Sequence, residues 1–480
     1  LGGLAFVFYD LETTGADKRF DQILQFAAVL TDDDLNVVDQ FEIRSRLLPH
    51  IVPSPGAMMV TGVRVNQLVD PSIPSHFEMC TKIHQVLSDW SPATMVGYNS
   101  LRFDEEFLRQ AFYASLLPIY LTNTAGNSRL DALTLVLATR AFRPEALNWP
   151  LDEDGKIRFK LDRLAPVNGF AHDNAHDALA DVRATIHLTR LIKERAPDVW
   201  AAGMAYRTKA AATAYVEREK VFVASRLRAA IQTSTLVTAL AANPNQPSEV
   251  FVFDLQFDPA LLTTMPEDEL TELIAGTPRP VTSIRLNTCP LFMPVEAVGS
   301  LAVGYALGME ELLRRATLVT GDAGLRQRLI KVALAGRTPF AESPHVEDQI
   351  YAGFYNRTDQ ALIDEFHKSD WIRRFELARL FADQRLRTLA RRLVYCEAPS
   401  VVPAKDRERY GHAIAARISG KDEGVERCWT TLPQAIEEAR GLLRDPACDK
   451  TGFIQEHLDH LSGWIEETHG ILRLVSTLSC

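Results

Sequence analysis

FVFYDLETTG, residues 6–15, sets two carboxylates, Asp10 and Glu12, directly after an apolar run. Residues 4–9 (LAFVFY) read as a buried strand ending at Asp10. Side chains two apart on a strand share a face, so both acids project to one side. Two readings stand. Either a strand simply meets a turn, or both acids hold a cation. The Thr13-Thr14-Gly15 turn that follows is expected to bring backbone and hydroxyl groups beside an anionic ligand.

Outward from that stretch, residues 22–31 form a second apolar run, and VVDQFEIRSRL follows after a turn-like DDDLN. The Pro- and Gly-rich segment PHIVPSPGAMMVTGV reads as mostly loop. Residues 76–90 have helical spacing, 95–99 (MVGYN) form a short strand, and RFDEEFLRQAFYA has helical spacing again. SRLDALTLVLATRAF and AHDALADVRATIHLTRLIKE read as two further helices. Strands first, then strands alternating with helices, predict an α/β domain with a mixed sheet ending near residue 195. Beyond Pro197, short strands at 249–257 and 279–295 predict a compact β-rich middle domain, completed by helices to about residue 345. From about residue 350 the chain reads as helical.

At 480 residues, two or three domains are expected. No apolar run of about 18 residues occurs, so no membrane span is expected. The chain starts at Leu1, as a trimmed chain would, and a targeting segment could precede it. Six scattered cysteines, with no Cys-x-x-Cys pair, suggest neither a zinc knuckle nor a thioredoxin-type site, and suit reduced thiols in a cytoplasmic protein. The net charge of −10 argues against polyanion binding by the whole surface but leaves room for a local basic groove.

Three further residues join the first pair as candidates. Asp104, in GYNSLRFDEEFL, opens a helix, where the exposed amides and the dipole favour any acid, so Asp104, Glu105 and Glu106 share one structural explanation. In HDNAHDALADVRAT, His176 and Asp181 lie five apart near a helix start, with Asp177 on another face. Asp181 sits among Ala180, Val182 and Ala184, where an unpaired carboxylate is costly. Together Asp10, Glu12, Asp104 and Asp181 offer hard oxygen ligands suited to Mg²⁺ or Mn²⁺. Two such ions could clamp the oxygens of a phosphodiester. A neutral His176 has the intrinsic pKa to take a proton from water.

FYDLETTG, GYNSLRFDEEF and NAHDALADVRAT resemble the three motifs of the histidine-bearing branch of the DEDD exonucleases. SRLDALTLVLATRAFRPEALNWP, FKLDRLAPVNGFAHDNAHDA, RLNTCPLFMP and YAGFYNRTD narrow that resemblance to the bacterial exodeoxyribonuclease I family, over nearly the whole chain. The resemblance implies a ribonuclease-H-like 3′–5′ exonuclease domain (1–195), an SH3-like middle domain (199–347) and a C-terminal helical domain (350–480). The activity implied is stepwise release of 5′-mononucleotides from the 3′ end of single-stranded DNA, in DNA repair and recombination. Asp10, Glu12 and Asp181 match the principal metal ligands, Asp104 the remaining acid and His176 the general base. Glu12 is also expected near the terminal nucleotide. The cofactor implied is two Mg²⁺ ions, with Mn²⁺ able to substitute, and the family resemblance favours a monomer.

Two positions depart from the family pattern. Lys160, in FKLDRL, stands where well-known members carry an arginine near the substrate phosphate, which keeps the charge but loses the bidentate fork. After Tyr395, Cys396 and Glu397 replace the charged and amide residues expected there. Two basic runs are candidate strand contacts: Arg207 to Arg228, and Arg385, Arg387, Arg391 and Arg392 with Phe381 and Tyr395 nearby. A helix also solvates its outer face with such residues. The resemblance further implies a partner, the acidic C-terminal tail of single-stranded-DNA-binding protein, with Arg143, Tyr206 and Arg314 or Arg315 as candidate contacts. The alternatives are an RNA-trimming or proofreading 3′–5′ exonuclease, and a single-strand binder that has lost hydrolysis.

Overall fold

The computed structural model describes residues 4–171, 177–228, 231–298, 307–337, 343–421 and 428–476. Five strands form the first sheet: β1 (Phe6–Thr13), β2 (Ile23–Thr31), β3 (Val37–Arg44), β4 (Thr94–Gly97) and β5 (Ser128–Asp131). Their order is β3-β2-β1-β4-β5, with β2 antiparallel to both β1 and β3 and with β4 and β5 added parallel to β1. This is the mixed sheet expected from the sequence.

The apolar run at the start of β1 is buried because the sheet is covered on both faces. Phe6 and Phe8 face a core shared with helices Ala132–Phe142 and Ala178–Arg195. Val7, Tyr9 and Leu11 face the opposite core, with helices His76–Asp89 and Asp104–Ala114. Asp10 and Glu12 therefore continue the Phe6–Phe8 face, toward the helix that carries Asp181.

Three local readings change. The first strand does not stop at Asp10 but runs to Thr13, because β2 continues to pair with it: Asp10 lies opposite Ala27 and Glu12 opposite Gln25. Residues 128–131, read as helical, form β5, since parallel pairing to β4 overrides local propensity; the helix starts at Ala132, capped by Asp131. The segment read as mostly loop, 49–63, holds a short helix, Pro55–Thr61, started by a Ser54 cap and Pro55, and a second, Val65–Val69, follows it.

A second five-stranded sheet follows: β6 (Phe222–Arg228), β7 (Ile231–Asn243), β8 (Gln246–Asp254), β9 (Val281–Arg285) and β10 (Leu291–Met293), in the order β10-β6-β7-β8-β9. It is antiparallel throughout, and helices Met309–Gly321 and Ala323–Ala335 share its core. That core is continuous with the Phe6–Phe8 face of the first sheet. From Arg357 the chain is helical to Ser476 over its described residues. This helical layer packs on the first through Phe77, Tyr113 and Leu116, and again through Val52. No described helix is long and apolar enough to cross a membrane.

Candidate active site

The site is built at an opening in the first sheet. β1 pairs with β4 only over Phe6–Phe8, so its last five residues have no strand on that edge. The chain leaving β4 folds into this gap. Gly97 makes the approach feasible: a Cβ there would meet Ser100 Cβ at 2.5 Å and the Tyr9 carbonyl oxygen at 3.0 Å. Asn99 then adopts a left-handed conformation, φ 62°. Asp131, at the end of β5, accepts hydrogen bonds from the amides of Asn99 (2.9 Å), Leu101 (3.4 Å) and Leu133 (3.0 Å). One carboxylate thus anchors the connection that delivers Asp104.

Asp104 is buried in the first turn of its helix, where the Leu11 amide donates to its carboxylate. That amide lies on the strand edge that β4 leaves uncovered. Asp181 enters from the opposite element, in the first turn of helix Ala178–Arg195, which packs on β1 and β2. Carboxylate oxygens of Asp10, Glu12 and Asp181 lie within 4.8 Å of one another.

The electrostatics are those of acids crowded together. Burial, then the charges of Asp104, Asp181, Glu12 and Asp177, push the Asp10 carboxyl well above its ordinary range. Glu12 is pushed up to about 9 by burial and by Asp181, Asp104 and Asp177, with Arg44 opposing. Asp104 rises to about 8, mainly through burial, with Asp131 and Asp181 adding to it. At an effective dielectric of about 20, two unit charges 4.8 Å apart repel by roughly 3 kcal/mol. An all-oxygen, all-anionic donor set at this spacing fits hard divalent cations, and their charge removes that repulsion.

Sequence reading did not place four contributors: Asp177, Glu105, Arg129 and Asp131. Asp177 is not turned away: its charge reaches Asp10 and Glu12, and its carboxylate caps the helix through Ala180 N. It also accepts from Arg44 Nη2 (3.1 Å) and Gln25 Nε2 (3.2 Å). Glu105, next to Asp104, is 1% exposed and accepts from Thr122 Oγ1 (2.6 Å), Arg129 Nη1 (2.8 Å) and Arg109 Nη2 (2.8 Å). Arg129 continues to the Asn287 carbonyl beside the second sheet (2.7 Å). Only the i,i+4 spacing of Glu105 and Arg109 carries any of this in the sequence; Asp131 and Arg129 have no local signal.

Other candidates stand differently. The Thr13 and Thr14 hydroxyls are not offered to a ligand: Thr13 bonds the Gly15 carbonyl, and Thr14 bonds Asp21 and accepts from Gln22 N. Lys160 is exposed at the N-cap of helix Leu161–Val167, directly after Phe159, whose carbonyl accepts from Tyr98 Oη. His176 lies outside the described residues. Phe381, expected near DNA, is 1% exposed inside the helical core. Arg385 is 8% exposed and locked to Asp383 and to the Gln349 and Gly353 carbonyls; Arg392 pairs with Glu347. In the candidate partner pocket, Arg143 pairs with Asp198, Arg314 with Glu311 and Asp258, and Arg315 with Glu311.

Comparison with known proteins covers all three layers. Residues 7–189 match the family model described as Exonuclease, 207–332 the Exonuclease I SH3-like domain and 344–468 the Exonuclease I C-terminal domain. The exodeoxyribonuclease I of Escherichia coli K12 is 30% identical over 372 residues, 74% of this chain and 78% of its own length. The structure of E. coli exonuclease I in complex with a dA16 oligonucleotide superposes with TM-score 0.83 at 26% identity, over 97% of this chain and 100% of that one. Exonuclease I from Methylocaldum szegediense superposes with TM-score 0.82 at 27% identity, over 97% and 99%. The chain belongs to the exodeoxyribonuclease I family.

Proposed function

We propose that this chain is a 3′–5′ exodeoxyribonuclease that releases 5′-mononucleotides from single-stranded DNA. The observation that carries the reading is the close set of Asp10, Glu12 and Asp181 carboxylates, with Asp104 beside them, in a chain of this family. The relative solved with a dA16 oligonucleotide supports a single strand as the substrate class. The division into units of 1–195, 199–347 and 350–480, a monomeric state and a cytoplasmic location belong to the same reading.

Asp10, Glu12, Asp104 and Asp181 would hold two divalent cations, Mg²⁺ by preference and Mn²⁺ in its place. Bound there, the ions supply charge neutralisation at the phosphodiester and a more acidic attacking water. The Leu11 amide holds the Asp104 carboxylate in place, and Asp131 holds the connection that carries it. Glu12 borders the terminal nucleotide, Lys160 contacts a substrate phosphate as a point charge, and His176 takes the proton from the attacking water. The acidic tail of single-stranded-DNA-binding protein docks at Arg143, Tyr206 and Arg314 or Arg315, exchanging its carboxylates for the acids those arginines now hold.

The test follows a 5′-labelled single strand with Mg²⁺, beside blunt duplex and RNA of matched sequence. A ladder shortening from the 3′ end of the single-stranded DNA alone is expected. Equal or faster trimming of RNA establishes the RNA-processing alternative instead. Tight DNA binding without cleavage, with metal present, establishes an inactive binder.

A further inference from the structure

The helical layer holds a cavity of about 310 Å³ lined wholly by residues between 375 and 410, none from the strands that carry the acid cluster. Its wall includes Arg379, Arg391 and Arg409 against a single carboxylate, Asp406, with the rings of Phe375 and Tyr410. Three guanidiniums to one acid is a local excess of cation on a chain of net charge −10. The volume lies at the low end of the roughly 300–1,000 Å³ of small-ligand sites.

What separates these arginines from their neighbours is commitment. On the same helix, Gln384–Glu397, Arg385 and Arg392 are spent on Asp383 and Glu347. Among the described residues, no ion pair or hydrogen bond engages the Arg391 side chain. Arg379 lies over the Phe375 ring at 4.4 Å, and Arg409 shares Asp406 at 3.1 Å. Tyr410 stands against Tyr395 with ring centroids 5.2 Å apart, so an aromatic pair backs the basic wall. Guanidiniums open to an oxyanion beside an aromatic ring are the two halves of nucleotide recognition: phosphate on the cations, base on the ring.

We propose that this cavity is a second nucleotide site, lined by none of the residues of the acid cluster, that binds one phosphate-and-base unit through Arg391, Arg379 and Tyr410. The inference rests on the single-strand reading above. The same chemistry has two sources, an internal nucleotide of the strand being digested or a released 5′-mononucleotide, and two arms of one experiment separate them.

The full chain is titrated in EDTA, which prevents cleavage, with labelled oligodeoxynucleotides of increasing length, and separately with 5′-dAMP. The proteins compared are the unaltered chain, Arg391→Glu and Tyr410→Ala. Arg391 is exposed and unbridged, so its replacement leaves the fold intact; circular dichroism checks this for both variants. If the strand is the source, affinity of the unaltered chain steps up once an oligomer is long enough to span both sites. Arg391→Glu removes that step and makes the log–log salt slope for long oligomers shallower by about 0.7 for each phosphate no longer neutralised. Loss of saturable 5′-dAMP binding, with oligomer binding unchanged, assigns the site to released product. Length profile, salt slope and 5′-dAMP binding all unchanged in both variants overturn the proposal. If the unaltered chain binds no single strand and cleaves none, it is the exonuclease reading that fails.

Discussion

Asp104 and Glu105 are consecutive residues on one helical turn, and both are buried, yet they belong to opposite kinds of region. Glu105 sits among cations and hydroxyl donors from other parts of the fold: Arg109, Arg129, Thr122 and Tyr9. Asp104 faces Asp10, Glu12 and Asp181, a group whose mutual repulsion Arg44 opposes from the Glu12 side. A carboxylate buried for architecture arrives with its counter-charges. One buried for chemistry is left for a ligand to neutralise.

The sharpest way to break this contrast is Asp10→Ala. Loss of one ligand from the cluster should cost several kcal/mol of transition-state stabilisation, about 10³-fold or more in rate, while strand affinity in EDTA is largely kept. The ladder assay beside a binding titration checks it; cleavage at the unaltered rate removes Asp10 from the site.

Glu105→Gln probes the other side of the helix. Removing the buried charge leaves Arg109 and Arg129 without their shared counter-charge, so unfolding should become easier by about 3–5 kcal/mol. Denaturant titration reads this directly. Residual activity per folded molecule should fall far less than in Asp10→Ala, and the reverse pattern would assign Glu105 to the chemistry.

Metal and pH give the third comparison. Glu12 and Asp104 are raised to about 9 and about 8 in the folded, cation-free protein, so the folded state holds protons that the unfolded chain has released. Their contribution to stability is full below about pH 4, the unfolded carboxylate range, and is lost as pH rises through 8 to 9. The Tm of EDTA-treated protein should therefore fall between about pH 6 and 9. Mg²⁺ should restore it, with the largest restoration at the alkaline end. A Tm that does not respond to Mg²⁺ at any pH in this window argues against cation binding by these acids.

The smallest effect is expected at Lys160, exposed and without a side-chain cap bond. Lys160→Ala should raise KM by up to about tenfold as one phosphate goes unneutralised, and Lys160→Arg should restore or improve on the parent value. Steady-state kinetics on a short oligonucleotide decides it.

How much was legible beforehand depends on whether the signal was local. β1 and β2 announce themselves because a strand covered on both faces needs an unbroken apolar run. The helices at His76–Asp89 and Asp104–Ala114 carry their own periodicity, the first with a Ser75–Glu78 capping box. β5 escapes a local reading because its four residues gain their strand geometry from β4. Phe381 and Arg385 are misplaced by sequence for a related reason. Composition says that a ring or a guanidinium is present, not whether a core or an Asp has already claimed it.

By itself the sequence determined which residue types could do the chemistry and that Asp10 and Glu12 share one face, since a strand's two-residue period is set by the chain's own geometry. The motif resemblance pointed to the family. It took the closed fold to bring Asp181 to the first pair with Asp104 beside them, to keep Glu105 apart, and to leave Arg391 uncommitted among the described residues where Arg385 and Arg392 are paired. Those outcomes turn on where β4 stops pairing with β1, and on which charges meet across stretches of chain far apart in sequence. Each is settled by contacts that form only when the layers close on one another.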